Sequence, residues 1–312
     1  MNASQTAGAP IVAEEEFQYA RNTVWKRFRK HRLAIAGTVV LLLMVLIAVF
    51  ARQLAPYDPN AIDNVHWQGY PLAPCFQDHA HCGAHALGSD ENGRDLLSRL
   101  MFGARISLTV GLFAVIMEIV IGTLLGAIAG YYGGVVDYII MRITDVFLSI
   151  PLLPLLLVLT AIVAASSSKA ALGFGVIVVI IGGLSWPGVA RLVRASFLSL
   201  REREYAEAAR ALGNNDGRIM LRHLLPNAMA PIIVQATLDV ANVIVVESTL
   251  SFLGFGIQPP TASWGNMLAN AQPNLENAWW AAVFPGLCIL ITVLAINYIG
   301  DGLRDALDPN MR

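Results

Sequence analysis

Long apolar runs separated by polar stretches form the main pattern along this chain of 312 residues. A helix needs about 20 mostly apolar residues to cross a bilayer. Runs of that length are too long and continuous for barrel strands, and lipid leaves any other open structure without backbone hydrogen-bond partners. The pattern therefore predicts an all-α membrane protein with six transmembrane helices, over residues 33–51, 106–130, 146–165, 170–190, 228–254 and 278–300.

The composition agrees with this prediction and argues against other classes of protein. Hydrophobic residues make up 56% of the chain and charged residues only 14%, which is too little charge for the surface of an ordinary soluble domain. The formal net charge is −1, so bulk electrostatics indicates no nucleic-acid partner. We therefore expect membrane lipid around the chain and no nucleic acid bound to it.

Lysine and arginine residues are concentrated before the first apolar run and between the fourth and fifth runs. Short loops rich in these residues stay in the cytoplasm, and six spans put both termini on the same side. The predicted order is a cytosolic segment, a first span, a periplasmic loop, a five-helix core that includes a cytosolic loop, and a cytosolic tail. The cytosolic segment covers residues 1–32, the first span 33–51 and the periplasmic loop 52–105. The core covers residues 106–300, the cytosolic loop within it 191–227 and the tail 301–312.

The first apolar run is long enough to span and follows about 30 polar residues, so it predicts an uncleaved anchor and not a secretory signal. Residues 16–32, just before it, mix Phe17, Trp25 and Phe28 with many cations. Two interpretations of this segment stay open. It is either a helix that lies along the inner membrane surface or a solvated basic flank.

Cys75 and Cys82 lie in the predicted periplasmic loop, where an oxidising compartment would favour a short disulfide between them. A competing interpretation adds His79, His81 and His85 as ligands of a metal ion. The spacing of these residues matches no standard zinc pattern. We therefore predict the disulfide and no metal site.

Charged residues within the apolar runs are costly and are functional candidates by default. Glu118, Asp239 and Glu247 are of this kind, and they could line a polar route or bind partner helices. Arg142 and Asp145 lie three positions apart, so a helix would place them on one face. We predict an ion pair between these two residues near the inner boundary.

Gly122, Gly126 and Gly130 repeat every four positions in the second apolar run. Small residues at this spacing share one face of a helix and let another helix approach closely. We expect them to pack inside a multi-helix bundle.

Residues 256–277, between the last two runs, carry Trp264 and several prolines. Tryptophan favours the membrane boundary. The stretch therefore predicts a re-entrant or interfacial segment on the outer side, and not a free loop.

The polar stretch between the fourth and fifth runs predicts a helical hairpin. Residues 201–212 are rich in Ala, Glu and Arg, which favour a helix, and Gly213 is suited to end it. Residues 214–216 offer N-caps for a second helix over 219–225. Pro226 is expected to limit the extension of that second helix.

The first helix of this hairpin has a small-sided face at Ala208 and Ala209, with Tyr205 and Leu212 as neighbouring apolar anchors. A face of this kind fits a groove on a partner protein. The alternative is an amphipathic helix pair that lies on its own bundle.

The chain lacks the common nucleotide-binding and hydrolytic motifs. A Walker loop needs Gly directly before its Lys, but Trp25, Arg29 and Ser168 precede the three lysines. A zinc-protease motif would need Glu in place of Cys82, and a nucleophile elbow would need Gly in place of Pro187. The sequence therefore indicates no catalytic site, and an enzyme is not expected.

Glu207, Ala208, Ala209 and Gly213, followed by Leu225–Pro226, resemble the EAA loop of bacterial ABC importer permeases. The resemblance implies that these residues form the coupling helix and loop on which an ATPase acts.

Other stretches are similar to the second, C-type permease subunit of dipeptide and oligopeptide importers. His223 stands where the general loop pattern has Ile, but residues 222–227 resemble the peptide-transporter branch. The insert around residues 75–85 departs from the family and leaves contacts on the outer face open. The remaining similar motifs lie, in order, at residues 87–95, 247–254, 259–265 and 300–309.

The resemblance implies a type I ABC importer permease fold with an extra N-terminal span, in a bacterial inner membrane. The implied partners are a homologous second permease subunit, two cytosolic ABC ATPases that hold ATP and magnesium, and an external solute-binding protein. This chain would carry no cofactor and would translocate di- and oligopeptides. Importers of nickel, glutathione or other small solutes share the motifs and are the alternative. An ion-coupled secondary transporter that uses Glu118 or Asp239 is a more distant one.

Overall fold

The computed structural model of the protein describes residues 25–63, 65–67, 69, 71–77, 85–166 and 173–307. In that part of the chain only two isolated β-bridges accompany the helices, so the predicted all-α class is confirmed. The main helices, numbered in chain order, are α1 (Arg32–Val49), α2 (Leu96–Tyr132), α3 (Gly134–Ser149), α4 (Leu152–Ser166), α5 (Phe174–Leu200), α6 (Glu204–Ala211), α7 (Leu225–Phe252), α8 (Trp264–Ala271) and α9 (Trp280–Leu307).

Among the described residues, five helices are long and apolar enough to cross a membrane. They are α1, α2, α5, α9, and α7 together with the two helical turns that precede it. Helices α3 and α4 meet the same criterion only as a pair, and the pair is bent by 86°. The six predicted spans are reached when this bent pair counts as one crossing.

The predicted third span, over residues 146–165, is wrong as a continuous helix. α3 ends at Ser149 and α4 begins at Leu152, with Ile150 between them in an extended conformation (φ −93°, ψ 126°). Pro151 explains the break, because contact with its ring disfavours helical backbone at the preceding residue.

Several helices extend beyond the predicted spans. The predicted periplasmic loop, 52–105, is cut short by α2, because Asp95 caps that helix: its Oδ2 accepts a hydrogen bond from the Ser98 backbone N–H at 2.7 Å. Helices α5 and α9 likewise continue, to Leu200 and Leu307, into stretches predicted as loop and tail. The spans are therefore longer than their apolar centres.

The prediction that Pro226 limits the second helix is wrong, because Pro226 lies in the first turn of α7. Helical turns precede α7 directly, with Leu224 in the right-handed helical conformation, so the missing N–H of Pro226 interrupts the hydrogen-bond ladder at this point. The six residues before α7, Ile219–Leu224, form a π-helix. The second arm of the predicted hairpin therefore runs into α7 without a loop.

The glycines of α2 pack against α5. A Cβ atom at Gly122 would lie 2.6 Å from Cβ of Val189, and one at Gly130 would lie 2.6 Å from Cβ of Phe197. Gly126 is in equally close contact with α5. The predicted role of these glycines in bundle packing is confirmed, and α7 packs against both helices of this central pair.

Helix α1 lies at the edge of the bundle and packs mainly against α9. A Cβ atom at Gly37 would lie 2.5 Å from the carbonyl oxygen of Ala295, so the two backbones are close. Most other side chains of α1 are exposed, as expected for a helix that faces lipid.

Candidate functional site

The hairpin, which we define as residues 201–224, lies at the end of the bundle that is predicted to face the cytoplasm. Its first arm is α6, where Glu204 and Glu207 lie in the first turn and Arg210 in the last. These charges are complementary to the helix dipole and stabilise a short helix. Gly213 ends the arm in the left-handed conformation (φ +76°), as predicted.

The two alanines predicted to form one docking face have different environments. Ala209 is 4% exposed and packs, together with Ala206, in a core cluster that includes Phe197 and Leu224. Ala208 is exposed. The free side of α6 is therefore built around Ala208, while Ala209 fixes the helix to its own bundle.

Three large hydrophobic side chains are exposed on the hairpin. Tyr205 is 39% exposed. Leu212 is 82% exposed and Leu221 is 69% exposed. Between them in sequence, the Asn215 side chain accepts a hydrogen bond from the Arg218 backbone N–H at 2.9 Å and caps the second arm, as predicted. These apolar groups therefore lie on the free side of a turn whose backbone is fixed.

The hairpin is held firmly to the end of α2. The Tyr131 hydroxyl donates a hydrogen bond to Asp216 Oδ1 at 2.7 Å, and the Arg201 guanidinium donates to the Gly130 carbonyl at 3.1 Å. The Arg210 guanidinium lies 5.5 Å from the centroid of the Tyr131 ring. A force on the hairpin would therefore reach α2 directly.

The predicted ion pair between Arg142 and Asp145 is wrong. Asp145 accepts a hydrogen bond from Arg191 of α5 at 2.5 Å, and the Arg142 guanidinium lies 5.1 Å from the centroid of the Tyr138 ring. Arg191, on the neighbouring helix, binds the carboxylate of Asp145. Arg142 instead packs on the ring of Tyr138, one turn earlier on α3. The contact ties α3 to α5.

A cavity of about 380 Å³ lies among α2, α4, α5 and α7, beside the bend between α3 and α4. Its wall is apolar along α3 and α4 and polar along α2 and α7. None of the described residues that line it is Lys or Arg. The polar side chains in its lining are those of Glu118, Ser185, Gln235, Asp239 and Asn242.

Glu118 and Asp239, two of the predicted intramembrane candidates, meet in this cavity. Their carboxyl groups interact directly between α2 and α7. The Gln235 side-chain amide donates a hydrogen bond to Asp239 Oδ1 at 2.9 Å. The other oxygen of Asp239, Oδ2, and Oε2 of Glu118 are buried with no hydrogen-bond partner in the described part of the chain.

Glu247, the third intramembrane candidate, lies elsewhere and is fully buried. The Ser251 hydroxyl donates to its Oε1 at 2.8 Å, and the Ser107 hydroxyl donates to its Oε2 at 3.3 Å. These hydroxyls also accept hydrogen bonds from the backbone N–H groups of Ile257 and Trp264, in the segment over residues 256–277. Glu247 therefore organises the C-terminal end of α7 and does not line the cavity.

Sequence reasoning missed Gln235 and Asn242 as members of the cavity wall. Both are neutral, so a search for charged intramembrane residues passes over them. Their spacing from Asp239, four positions before it and three after it, puts all three residues on one face of α7. A polar stripe at helical period in an apolar run was the available signal.

The segment just before α2 is organised around His85. Its ring nitrogens Nδ1 and Nε2 lie 2.9 Å from Asp95 Oδ1 and 3.1 Å from Asp63 Oδ2. His85 and Asp95 are both buried, at 3% and 1% exposed. The histidine therefore joins the loop to the capping residue of α2.

Burial would raise the pKa of Asp63, but its hydrogen bonds from the His66 ring and from the backbone N–H groups of Val65 and His66 outweigh this effect. They lower the pKa of Asp63 from 3.8 to about 2. Asp63 is thus held as a carboxylate that two histidines face.

The predicted disulfide is only partly within the described residues. Cys75 is disulfide-bonded, but Cys82 lies outside them, so the pairing stays a prediction. His79 and His81, which the competing metal interpretation needs, also lie outside. The described residues contain no group of three potential ligands that could hold a metal ion.

The segment over residues 256–277 packs on the bundle as a short helix and is not a free loop. Ser263 and Asn266 form a capping box at the start of α8. Trp264 is fully buried and donates a hydrogen bond from Nε1 to the Leu100 carbonyl at 3.1 Å. The tryptophan therefore anchors the segment to α2.

Comparison with known proteins agrees with this geometry. Residues 122–312 match the family model described as the binding-protein-dependent transport system inner membrane component. Residues 21–74 match the N-terminal TM domain of oligopeptide transport permease C. The fold is similar to that of a chain in the inward-facing MetNI methionine ABC transporter, with a TM-score of 0.54 and 21% identity over 68% of this chain and 96% of that one.

Two curated relatives match nearly the whole chain. The di/tripeptide transport system permease protein DppC of Pseudomonas aeruginosa is 44% identical over 92% of this chain and 91% of its own length. The glutathione transport system permease protein GsiD of Pectobacterium atrosepticum is 39% identical over 98% and 96%, respectively. The chain belongs to the binding-protein-dependent transport system inner membrane component family, and it has the type I ABC importer permease fold with an extra N-terminal span.

Proposed function

We propose that the chain is the membrane-spanning permease subunit of an ATP-driven importer of di- and oligopeptides in a bacterial inner membrane. The observation that carries this proposal is the pairing of a half-open cavity between the helices, with polar groups on one wall, and an exposed hairpin fixed to the helices of that cavity. Support for the cargo comes from relatives named for dipeptide and di/tripeptide transport.

Glutathione import is the second candidate function, because relatives named for it are 39% identical over nearly the full length. Glutathione is itself a tripeptide, so the two candidates share their chemistry. Competition between alanylalanine and glutathione for uptake would distinguish them.

In the proposed assembly, a homologous permease subunit lies beside this chain, two cytosolic ATPases bind below it, and an external solute-binding protein docks above. Hydrolysis of ATP with magnesium would take place in the ATPases, because this chain has no Walker loop. The basic hairpin and both termini would then lie in the cytoplasm.

The hairpin would be the coupling element, with Glu207, Ala208, Leu212 and Gly213 presented to an ATPase. Its buried residues would transmit the movement, because Ala209 belongs to a core cluster that includes Phe197 of α5 and Ile232 of α7, and Leu225–Pro226 begin α7. Since α2, α5 and α7 also form the cavity wall, closure of the ATPases would move that wall as rigid elements.

Charge reversal on the hairpin tests the proposal. Glu207→Lys should lose retention of the ATPase subunits and lower peptide uptake at least ten-fold, because the exposed carboxylate would orient α6 in its groove. Glu202→Lys, an identical change at an exposed residue before α6, is the matched control and should keep both. Equal uptake by the two variants would contradict docking at this surface.

A further inference from the structure

The buried acidic pair in the cavity plays no part in the proposed coupling of the hairpin. Glu118 is 5% exposed, and its Oε2 atom is buried without a hydrogen-bond partner among the described residues, like Oδ2 of Asp239. A carboxylate withdrawn from water costs several kcal/mol unless a cation or hydrogen-bond donors replace the lost solvation. Two such groups in contact share a proton when no cation is present, and a positive partner can take the place of that proton.

The basic residues of α5 near the cavity do not supply this positive partner. Arg191 donates a hydrogen bond to Asp145 at 2.5 Å, and Arg194 Nη2 donates to Asp137 Oδ2 at 2.6 Å. Neither arginine lines the cavity. The amide of Gln235 donates a hydrogen bond to one oxygen of Asp239, but this amide is neutral.

The shape and lining of the cavity suit a small peptide. Its volume of about 380 Å³ is within the range of small-molecule sites. The hydroxyl of Ser185 and the amides of Gln235 and Asn242 can both donate and accept hydrogen bonds, as peptide groups require. The apolar wall along α3 and α4 can accept side chains of varied shape.

The charge distribution selects one end of that peptide. Carboxylates bind ammonium groups through charge-assisted hydrogen bonds and repel other carboxylates. Because no cation lines the cavity within the described residues, a C-terminal carboxylate has no partner there. The protonated amino terminus does.

We propose that Glu118 and Asp239 together bind the primary ammonium group at the N-terminus of a peptide as it crosses the membrane. This assignment rests on the proposed import function. It makes the pair a specificity site within the permease, separate from the selection made by an external binding protein.

The test measures binding to the assembled permease–ATPase complex in nanodiscs, without the binding protein. The probes are radiolabelled alanylalanine and propionylalanine, which has a hydrogen in place of the amino group. The wild-type complex should bind alanylalanine at least ten-fold more tightly. In the isosteric double variant Glu118→Gln/Asp239→Asn this preference should fall below two-fold, with propionylalanine binding unchanged.

Three further variants, together with a measurement of ATP-dependent uptake, distinguish loss of amine recognition from loss of assembly or of import. Glu118→Asp, which retains the charge, should keep most of the preference, and Glu202→Gln, outside the cavity, should keep all of it. If the double variant does not assemble, Glu118→Gln alone should still lower the preference at least five-fold. ATP-dependent uptake by the wild-type complex with its binding protein tests import separately. A wild-type complex that imports peptide without any preference for the amine, or a preference that survives in the neutral variants, overturns the assignment of the acidic pair.

Discussion

Glu247 and Glu118 are both buried glutamates in apolar helices, yet their surroundings differ. Glu247 accepts hydrogen bonds from two serine hydroxyls, and those hydroxyls in turn accept hydrogen bonds from backbone N–H groups of the segment over residues 256–277. Glu118 faces a second carboxyl group, and its Oε2 has no hydrogen-bond partner among the described residues. One site is closed and the other is open toward a cavity.

The difference shows how an intramembrane charge can be interpreted. Each acidic residue in an apolar span is a functional candidate, because its burial is costly. Hydrogen bonds from within the chain offset that cost at Glu247, so stability alone accounts for the residue. At Glu118 the described residues supply no cation and no hydrogen bond to Oε2, and the proposed ammonium ligand would offset the cost.

The largest expected effect is on stability at the closed site. Glu247→Ala should lower the free energy of unfolding by about 3 kcal/mol, because it leaves a cavity and strands buried hydroxyl groups. Thermal unfolding of the purified complex in detergent, followed by tryptophan fluorescence, measures this loss. Glu247→Gln keeps the side-chain volume and should lose less than half as much. An unchanged unfolding midpoint for the alanine variant would remove the proposed structural role.

The next effect is on transport at the open site. Glu118→Gln should leave the unfolding midpoint unchanged or raise it, because an amide carries no charge to bury. Uptake of alanylalanine should fall at least ten-fold in the same preparation. A variant as unstable as Glu247→Ala, with normal uptake, would reverse the comparison between the two glutamates.

A smaller effect is expected at Gln235, which donates to Asp239 at 2.9 Å. Gln235→Leu removes one hydrogen bond to a charged group and should weaken alanylalanine binding about five-fold, which corresponds to about 1 kcal/mol. Equilibrium binding to the nanodisc complex measures it. Gln272→Leu, at an exposed residue after α8, is the matched control and should bind as the wild type does.

The smallest effect extends the comparison to the segment before α2, where the carboxylate of Asp63 accepts several hydrogen bonds. Its pKa is lowered from 3.8 to about 2, so its stabilising contribution is complete above about pH 4 and is lost as the pH falls toward 2. Cleavage of the segment before α2 by pepsin should therefore rise as the pH falls from about 4 to about 2. Asp63→Asn should be cleaved readily even at pH 4, and a wild type with constant cleavage from pH 4 to pH 2 would contradict the linkage.

Local features of the fold could be predicted from the sequence, because neighbouring residues determine them. Gly213 and Asn215 end and begin the arms of the hairpin through their own backbone and side-chain chemistry. Gly122 and Gly130 contact α5 because only small residues allow the approach. The break at Pro151 was also a local signal, but the apolar run around it concealed the bend.

Contacts between helices could not be predicted in the same way. The spacing of Arg142 and Asp145 is compatible with a pair, but Arg191 from another helix decides the outcome. Ala208 and Ala209 are equivalent in sequence, and only the tertiary packing of α6, in a cluster with residues such as Ile219 and Leu224, makes one of them buried. The difference between Glu118 and Glu247 likewise depends on which side chains the tertiary fold brings to each carboxyl group.

Peptide uptake into proteoliposomes tests the central claim, that separate ATPases drive this permease, most directly. Vesicles that contain this chain, its partner permease and the two ATPases should accumulate labelled alanylalanine only with ATP, magnesium and the binding protein present. Vesicles without the ATPases, or with Glu207→Lys, should accumulate at least ten-fold less. Full uptake by the permease subunits alone, driven by an ion gradient, would contradict the account.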